Sequence, residues 1–350
     1  EPIRLLDLAT GAVKTLLEGH KDQVLSLAFS ADGATLLSGS VDDTAILWSL
    51  ADARPMLRLT GHGGDVNAAA FTREGARIVT GSDDTTLRLW DAKSGALLAE
   101  MRGHQRLVTA IAVSPADGTI ASASFDSKIL LWNGTTGALL GTYAANGSPP
   151  LALAFDGSGT RLIAGSGADP FDARIYSGDG VAPFAYLGHE SMVTSAILSA
   201  DGKLAVTAGG INNEIHVWET STGKLRHRIA GKGRAVWAVG FDAKGRAIAW
   251  GQSNTKNTLN DQGVVEHRLR LPAAGDQLDE PRPVEDASAF SGQVTTSGDA
   301  TLALRQGGAF GYLALAGSSI APLLQVQAQL TLSAARIGLL FALEPVFALL

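Results

Sequence analysis

Between Val24 and Thr60 the chain reads as four short runs, "VLSLAFS", "TLLSGS", "AILWSL" and "PMLRLT", in which apolar and polar positions mostly alternate. Successive side chains of an extended backbone point to opposite faces, so a period of two over six or seven residues predicts β-strands. Glycine-bearing turns punctuate the runs, and the same kind of turn recurs along the chain as "SADG", "TREG", "SPADG", "DGSG", "SADG" and "DAKG". Strand, turn, strand in this rhythm is a hairpin signal. Each unit therefore predicts four short antiparallel strands.

The unit repeats. The apolar residue that closes its first run recurs as Phe29, Phe71, Val113, Phe155, Leu198 and Phe241, at intervals of 42, 42, 42, 43 and 43 residues. Gly-His pairs stand at Gly19-His20, Gly61-His62, Gly103-His104 and Gly188-His189. A tryptophan follows each histidine: Trp48, Trp90 and Trp132 at 28 residues and Trp218 at 29, while Tyr176 fills the slot in the fourth unit. A small sheet cannot bury both faces alone, so a fixed period of this length predicts sheets stacked on one another.

Units that run from Gly-His to Trp-Asp resemble the WD-repeat family, although the dipeptide is intact only at Trp90-Asp91. The resemblance implies an all-β, seven-bladed WD-type β-propeller, with six blades as the alternative. It also implies that a His, a Ser or Thr, an Asp and the Trp hydrogen-bond within each blade. By position these are His20, Ser38, Asp42 and Trp48; His62, Thr80, Asp84 and Trp90; His104, Ser122, Asp126 and Trp132; and His189, Thr207 and Trp218 with Asn212 in the Asp slot. The same residue types could suggest a nucleophilic triad, but a triad needs one constellation at a cleft with an oxyanion hole. Recurrence beside a tryptophan whose N–H needs a buried partner favours a structural network. Equal spacing around a ring would also keep these histidines apart, so no metal site is expected from them.

Blades are expected near 19–60, 61–102, 103–145, 146–187, 188–230 and 231–273. The N-terminal "IRLLDLATGAVKTLLEGH" reads as the second half of a unit and "FSGQVTTSGDATLALRQGG", Phe290 to Gly308, as a first half. Together, as 287–308 plus 1–18, they predict a composite seventh blade that closes the ring of a domain over 1–308. The stretch from Gly251 to Asp286 breaks the period and is rich in Asn, Asp, Pro and Gly, which predicts a long loop between irregular strands. Its "WGQSNTKNTLNDQG", "EHRLRLP" and later "GGAFGY" are similar to WD-repeat regions of bacterial caspase-like peptidases. That likeness implies a regulatory or targeting module of a larger protein.

The last segment, 309–350, does not share the period. From Gln306 to Ala335 it carries no charge, and an apolar run resumes after Arg336. An apolar helical tail is expected, with membrane association as one outcome and packing on the ring as another. Gln325, Gln329, Ser333, Ala335, Arg336, Glu344, Pro345 and Phe347 match a pattern that resembles the last two helices of drug/metabolite exporters. A genuine fusion and a misassembled reading frame both remain open readings of this join.

Composition narrows the function classes. A net charge of −6 argues mildly against nucleic acid, whose phosphates demand a basic face, and the one basic run, Lys224 to Arg234, reads as a solvated strand and loop. With no cysteine there is no thiol nucleophile, thiolate metal site or disulfide. The chain starts "EPIRLLDLAT", without an initiator Met or an apolar leader, so it is expected to be a fragment or a processed product. The resemblance to WD repeats implies a non-enzymatic protein–protein interaction scaffold or sensor module. A membrane-anchored or transporter-linked propeller and a propeller enzyme are the other readings. No cofactor is expected; protein or peptide partners are, membrane contact only through 309–350, and a cytoplasmic setting for the propeller. The same resemblance implies partner docking on the rim built from the turns near the Gly-His and Asp positions, where the residues that vary give the candidate contacts Asp22, Val41, Arg106, Phe125 and Ile211.

Overall fold

The computed structural model describes residues 3–7, 13–145, 147–178, 184–209, 214–230, 236–241, 247–253, 264–270, 294–296 and 301–305. These residues are strands and the turns between them. The apolar tail 309–350, and with it the helical expectation, lies outside the described residues; among the described residues no helix is long and apolar enough to cross a membrane.

Two strands, β1 (Ile3–Asp7) and β2 (Val13–Leu17), precede the first complete unit. Five sheets are then built from four consecutive strands each. The first contains β3 (Val24–Phe29), β4 (Thr35–Ser40), β5 (Ala45–Ser49) and β6 (Arg54–Leu59), which are the four runs read above. The second contains β7 (Val66–Phe71), β8 (Arg77–Ser82), β9 (Leu87–Asp91) and β10 (Leu97–Met101). The third contains β11 (Val108–Val113), β12 (Ile120–Ser124), β13 (Lys128–Trp132) and β14 (Leu139–Ala144). The fourth contains β15 (Pro150–Phe155), β16 (Arg161–Ser166), β17 (Ala173–Ser177) and β18 (Phe184–Tyr186). The fifth contains β19 (Val193–Leu198), β20 (Leu204–Gly209), β21 (Glu214–Glu219) and β22 (Leu225–Ala230). This all-β repetition is consistent with a WD-type propeller.

Two further sheets follow. β23 (Val236–Phe241), β24 (Ala247–Ser253) and β25 (Val264–Arg270) form a three-stranded sheet, so part of the aperiodic stretch after Gly251 is strand. β26 (Val294–Thr296) and β27 (Thr301–Arg305) join the chain's beginning, in the order β2-β1-β27-β26. β1 runs antiparallel to β27, with Ile3 opposite Arg305 and Asp7 opposite Thr301. The late segment and the N-terminal segment thus share one sheet. First strands of successive sheets lie side by side, β3 against β7, β7 against β11, and onward to β23; β26 lies against both β23 and β3.

The core sits between sheets. Leu37, Leu47 and Leu59 of the first sheet pack with Val66, Ile78 and Trp90 of the second, and the pattern repeats with Val79, Leu89, Val108, Ile120 and Trp132. Close approach is made possible by a glycine in the second strand: a Cβ on Gly39 would lie 2.7 Å from the Val66 carbonyl oxygen, and one on Gly81 2.6 Å from Val108 Cγ1. The first strand of every sheet from β3 to β23 carries a register shift after its first residue. Such a bulge re-aims one side chain. Asn67 uses it to donate to the Val108 carbonyl at 2.9 Å, and Thr109 to the Pro150 carbonyl at 2.6 Å, tying each sheet to the next.

Candidate functional site

Tryptophan at the end of the third strand is buried against its own second strand: Leu36 faces Trp48, Ile78 faces Trp90, and Ile120 faces Trp132. Its indole N–H needs an acceptor there, and a hydroxyl two positions along the second strand supplies one. Trp48 Nε1 donates to Ser38 Oγ at 2.8 Å, Trp90 Nε1 to Thr80 Oγ1 at 2.9 Å, and Trp132 Nε1 to Ser122 Oγ at 2.8 Å. The hydroxyls in turn lie 2.7, 2.7 and 2.8 Å from Nε2 of His20, His62 and His104. Nδ1 of each histidine meets Asp42, Asp84 or Asp126 at 2.9, 2.8 or 3.0 Å. One direction of donation satisfies every group: indole N–H to hydroxyl oxygen, hydroxyl to Nε2, and Nδ1–H to carboxylate.

The carboxylate is the end of the relay that touches the turns. Asp42 accepts from Lys21 N–H at 2.8 Å and from the Thr44 hydroxyl at 2.5 Å; Asp84 accepts from Gly63 N–H at 3.0 Å and the Thr86 hydroxyl at 2.7 Å. Asp126 holds Gln105 N–H at 2.9 Å and Lys128 N–H at 3.0 Å. A turn from one strand pair is thereby fixed to the turn of the next. No substrate could reach the relay's hydroxyls, because Ser38, Thr80 and Ser122 are fully buried. The arrangement holds loops.

Burial and the relay set the protonation states. Burial pushes His20 and His62 down, against the raising effect of their aspartates. Asp84 is held down at about 2: burial opposes this, but hydrogen bonds from Gly63, Thr86 and His62 prevail. Asp42 is lowered in the same way. Unfolded imidazoles protonate near 6.5 while the folded ones resist, so their share of stability is present above pH 6.5 and drains away as pH falls below it. The aspartates' share is lost below about pH 4, as protonation of the unfolded carboxylates begins. In a thermal-unfolding series from pH 8 to pH 3, these relay groups are expected to contribute no slope above pH 7, a downward slope below 6.5 and a steeper one below 4.

The other repeats depart from this pattern. In the fifth sheet Trp218 Nε1 reaches Thr207 Oγ1 at 3.1 Å and His189 Nε2 the same hydroxyl at 2.7 Å, while Asn212 lies outside the described residues. His189 Nδ1 has no partner among the described residues. In the fourth sheet Tyr176 faces Leu162 in the tryptophan register, and its hydroxyl leaves the relay position to donate to the Ala144 carbonyl at 3.2 Å. Its ring stacks on Tyr143 at 5.4 Å.

Among the expected partner contacts, Asp22 and Arg106 are exposed and Val41 is half-buried. Phe125 corrects the expectation: it is only 7% exposed, because Leu107 of its own sheet and Leu151, Phe171 and Met192 of the next two sheets and their turns close over it. It anchors a turn and is no free apolar tip. Ile211 lies outside the described residues. The basic run is a strand face as expected in β22, where Arg226 pairs with Glu219 and Arg228 with Glu214.

Two features escaped the sequence reading. One is an acidic group at the turns of the first two sheets: burial, then the charges of Asp83, Asp43 and Asp22, raise Asp65 to about 6. A raised carboxyl contributes stability below its unfolded value of 3.8, and that contribution is lost as pH rises through 6. Asp65→Asn is therefore expected to raise the melting temperature at pH 7.5 and to leave it unchanged at pH 3.5. The signal was present as acidic residues in adjacent repeats, "GGDV" and "SDD". The other is a convergence of His189, Glu214 and His216, all buried, with one donor atom of each within 4.8 Å of the others. His216 sits on a strand rather than at a Gly-His corner, so even spacing of the corners did not keep it away from His189.

The repeating relay has its counterpart among known families. Residues 11–49, 53–91, 95–133 and 182–219 each match the family described as WD domain, G-beta repeat. No curated protein matches the chain. Every match stops one residue after its tryptophan, at Ser49, Asp91, Asn133 and Glu219, so the four complete Gly-His-to-Trp units are the ones recognised. The chain carries WD repeats in four places, and WD repeats generally mediate protein–protein interaction.

Proposed function

We propose that this chain is a non-enzymatic interaction scaffold, a seven-bladed propeller over 1–308 that binds protein or peptide partners on the rim formed by its relay-held turns. The carrying observation is the division of labour within the first three repeats. His, Ser or Thr, Asp and Trp are spent on one another in the interior, whereas the residues just after Gly-His differ from sheet to sheet: Lys21 and Asp22, Gly63 and Gly64, Gln105 and Arg106, Glu190. A fixed frame with varied turns suits recognition, since ordering entropy is already met before a partner arrives. The seventh blade rests on the pairing of β1 with β27, which would close the ring. Likeness of the later segment to the WD regions of bacterial caspase-like peptidases supports a regulatory role within a larger protein.

Charge reversal on the rim is the test. Asp22→Lys with Arg106→Glu alters two exposed side chains and should shift the unfolding midpoint only slightly, upward if at all, because Asp22 is one of the charges that raise Asp65. The expected result is loss of at least tenfold in affinity for a partner captured by the wild-type chain. Unchanged affinity for every captured partner would move the docking surface elsewhere.

A further inference from the structure

The fifth sheet departs from the first three at several positions together. Counting back four and two residues from the tryptophan gives Thr44 and Ile46, Thr86 and Arg88, Lys128 and Leu130, but Glu214 and His216 in the fifth sheet. Two residues before Gly-His stand Leu17, Leu59 and Met101, but Tyr186 in the fifth. The three replacing residues meet at one place. His216 stacks on His189 with ring centroids 4.2 Å apart, and the Tyr186 hydroxyl lies 3.0 Å from His216 Nδ1. His216 Nε2 lies 3.0 Å from Glu214 Oε2, yet neither atom makes a well-aligned hydrogen bond. His216 is 1% exposed, and Glu214 and His189 are each 6% exposed. Buried polar atoms of this kind are rare in folded proteins and call for a ligand, a water or an ion.

We propose that His189, Glu214 and His216 form a binding site for one divalent cation of the zinc class. Two imidazoles and a carboxylate oxygen are the donor set that borderline metals prefer over calcium or magnesium. Each histidine has one ring nitrogen for the metal and an outer partner for the other. His216 ligates through Nε2 and gives Nδ1–H to Tyr186; His189 ligates through Nδ1 and gives Nε2–H to Thr207 Oγ1. Arg228 takes Glu214 Oε1, which leaves Oε2 facing the histidines. Metal–ligand bonds of about 2.0–2.2 Å set tetrahedral donors about 3.4 Å apart. The His216–Glu214 edge is already that short, so closure needs the His189 ring to turn out of the stack. The ion would replace, in the fifth sheet, the aspartate that grips the histidine in the first three. This site is independent of the rim-docking reading and stands or falls without it.

Cobalt(II) is the probe, added to the full chain after treatment with a chelator. The expected result is uptake of one equivalent with visible ligand-field bands of a four- or five-coordinate ion, displaced by zinc. His216→Gln and Glu214→Gln should abolish the bands, and Tyr186→Phe should weaken binding about tenfold or more. His62→Gln, in a relay with no such convergence, should leave them intact. Absence of stoichiometric uptake by the wild-type chain overturns the proposal, whatever the variants do. Equal uptake by His216→Gln and Glu214→Gln also overturns it, because the ion would then sit elsewhere.

Discussion

Ser122→Ala is expected to cost the folded chain several kcal/mol, far more than removal of one small polar group from a surface. The Ser122 hydroxyl is the shared partner of Trp132 Nε1 and His104 Nε2, and all three side chains are buried. Alanine leaves two buried polar groups without a partner, at about 1–3 kcal/mol for each. The loss then spreads to the turns, because His104 no longer holds its tautomer against Asp126 and Asp126 grips Gln105 N–H less firmly. Thr80 makes the same pair of bonds in the second sheet at 2.9 and 2.7 Å, so Ser122→Thr should recover most of the loss. Thr135→Ala, at an exposed turn, should change stability by no more than about 0.5 kcal/mol. Urea unfolding midpoints decide the matter. A loss below about 0.5 kcal/mol for Ser122→Ala would mean that the relay does not support the fold.

Gly39→Ala is expected to be the more damaging of two glycine substitutions by about 1–3 kcal/mol or more. Its new Cβ would lie 2.7 Å from the Val66 carbonyl oxygen, 2.7 Å from Ser26 Oγ and 2.9 Å from Val66 Cγ1. The side chains could adjust, but the carbonyl belongs to the first strand of the next sheet and can move only if the sheets part. Gly165 meets Val193 of the fifth sheet in the same way, with its Cβ 2.8 Å from the carbonyl oxygen. By contrast, a Cβ at Gly141 would meet nothing within 4 Å, and Gly141→Ala should be neutral. Equal melting temperatures for the two variants would contradict the close sheet-to-sheet packing described here.

The repeat was legible because its signals are local. Alternation sets the faces of a strand within one run, and a glycine turn ends it, so "TLLSGS" needs no distant information to read as β4. The fixed spacing of histidine, hydroxyl, aspartate and tryptophan made the relay legible as well. Non-local packing was not. Phe125 occupies a turn position that reads as a protruding apolar tip, and residues distant in sequence, Leu151, Phe171 and Met192, help to bury it. His216 falls in "EIHVWE", where it reads as one polar residue in an alternating strand. Its partner His189 is brought beside it only by the pairing of β20 with β21, through Thr207 opposite His216. The raised carboxyl of Asp65 likewise depends on charges contributed by separate repeats.

Division between a buried relay and variable exposed turns also separates two classes of mutation. Changes at Ser38, Thr80, Ser122 or the tryptophans should lower stability first and binding only as folding fails. Changes at Arg106 should lower binding with stability unaltered, and changes at Asp22 should lower binding with stability kept or slightly raised. Hydrogen–deuterium exchange of the chain alone and with a bound partner measures both ends of the sheets in one experiment. New protection is expected in the turns after the Gly-His pairs, around 21–23, 105–107 and 190–192, with the opposite turns around 30–34, 72–76 and 114–119 unchanged. Protection confined to those opposite turns, with none at the Gly-His end, would contradict docking on this rim.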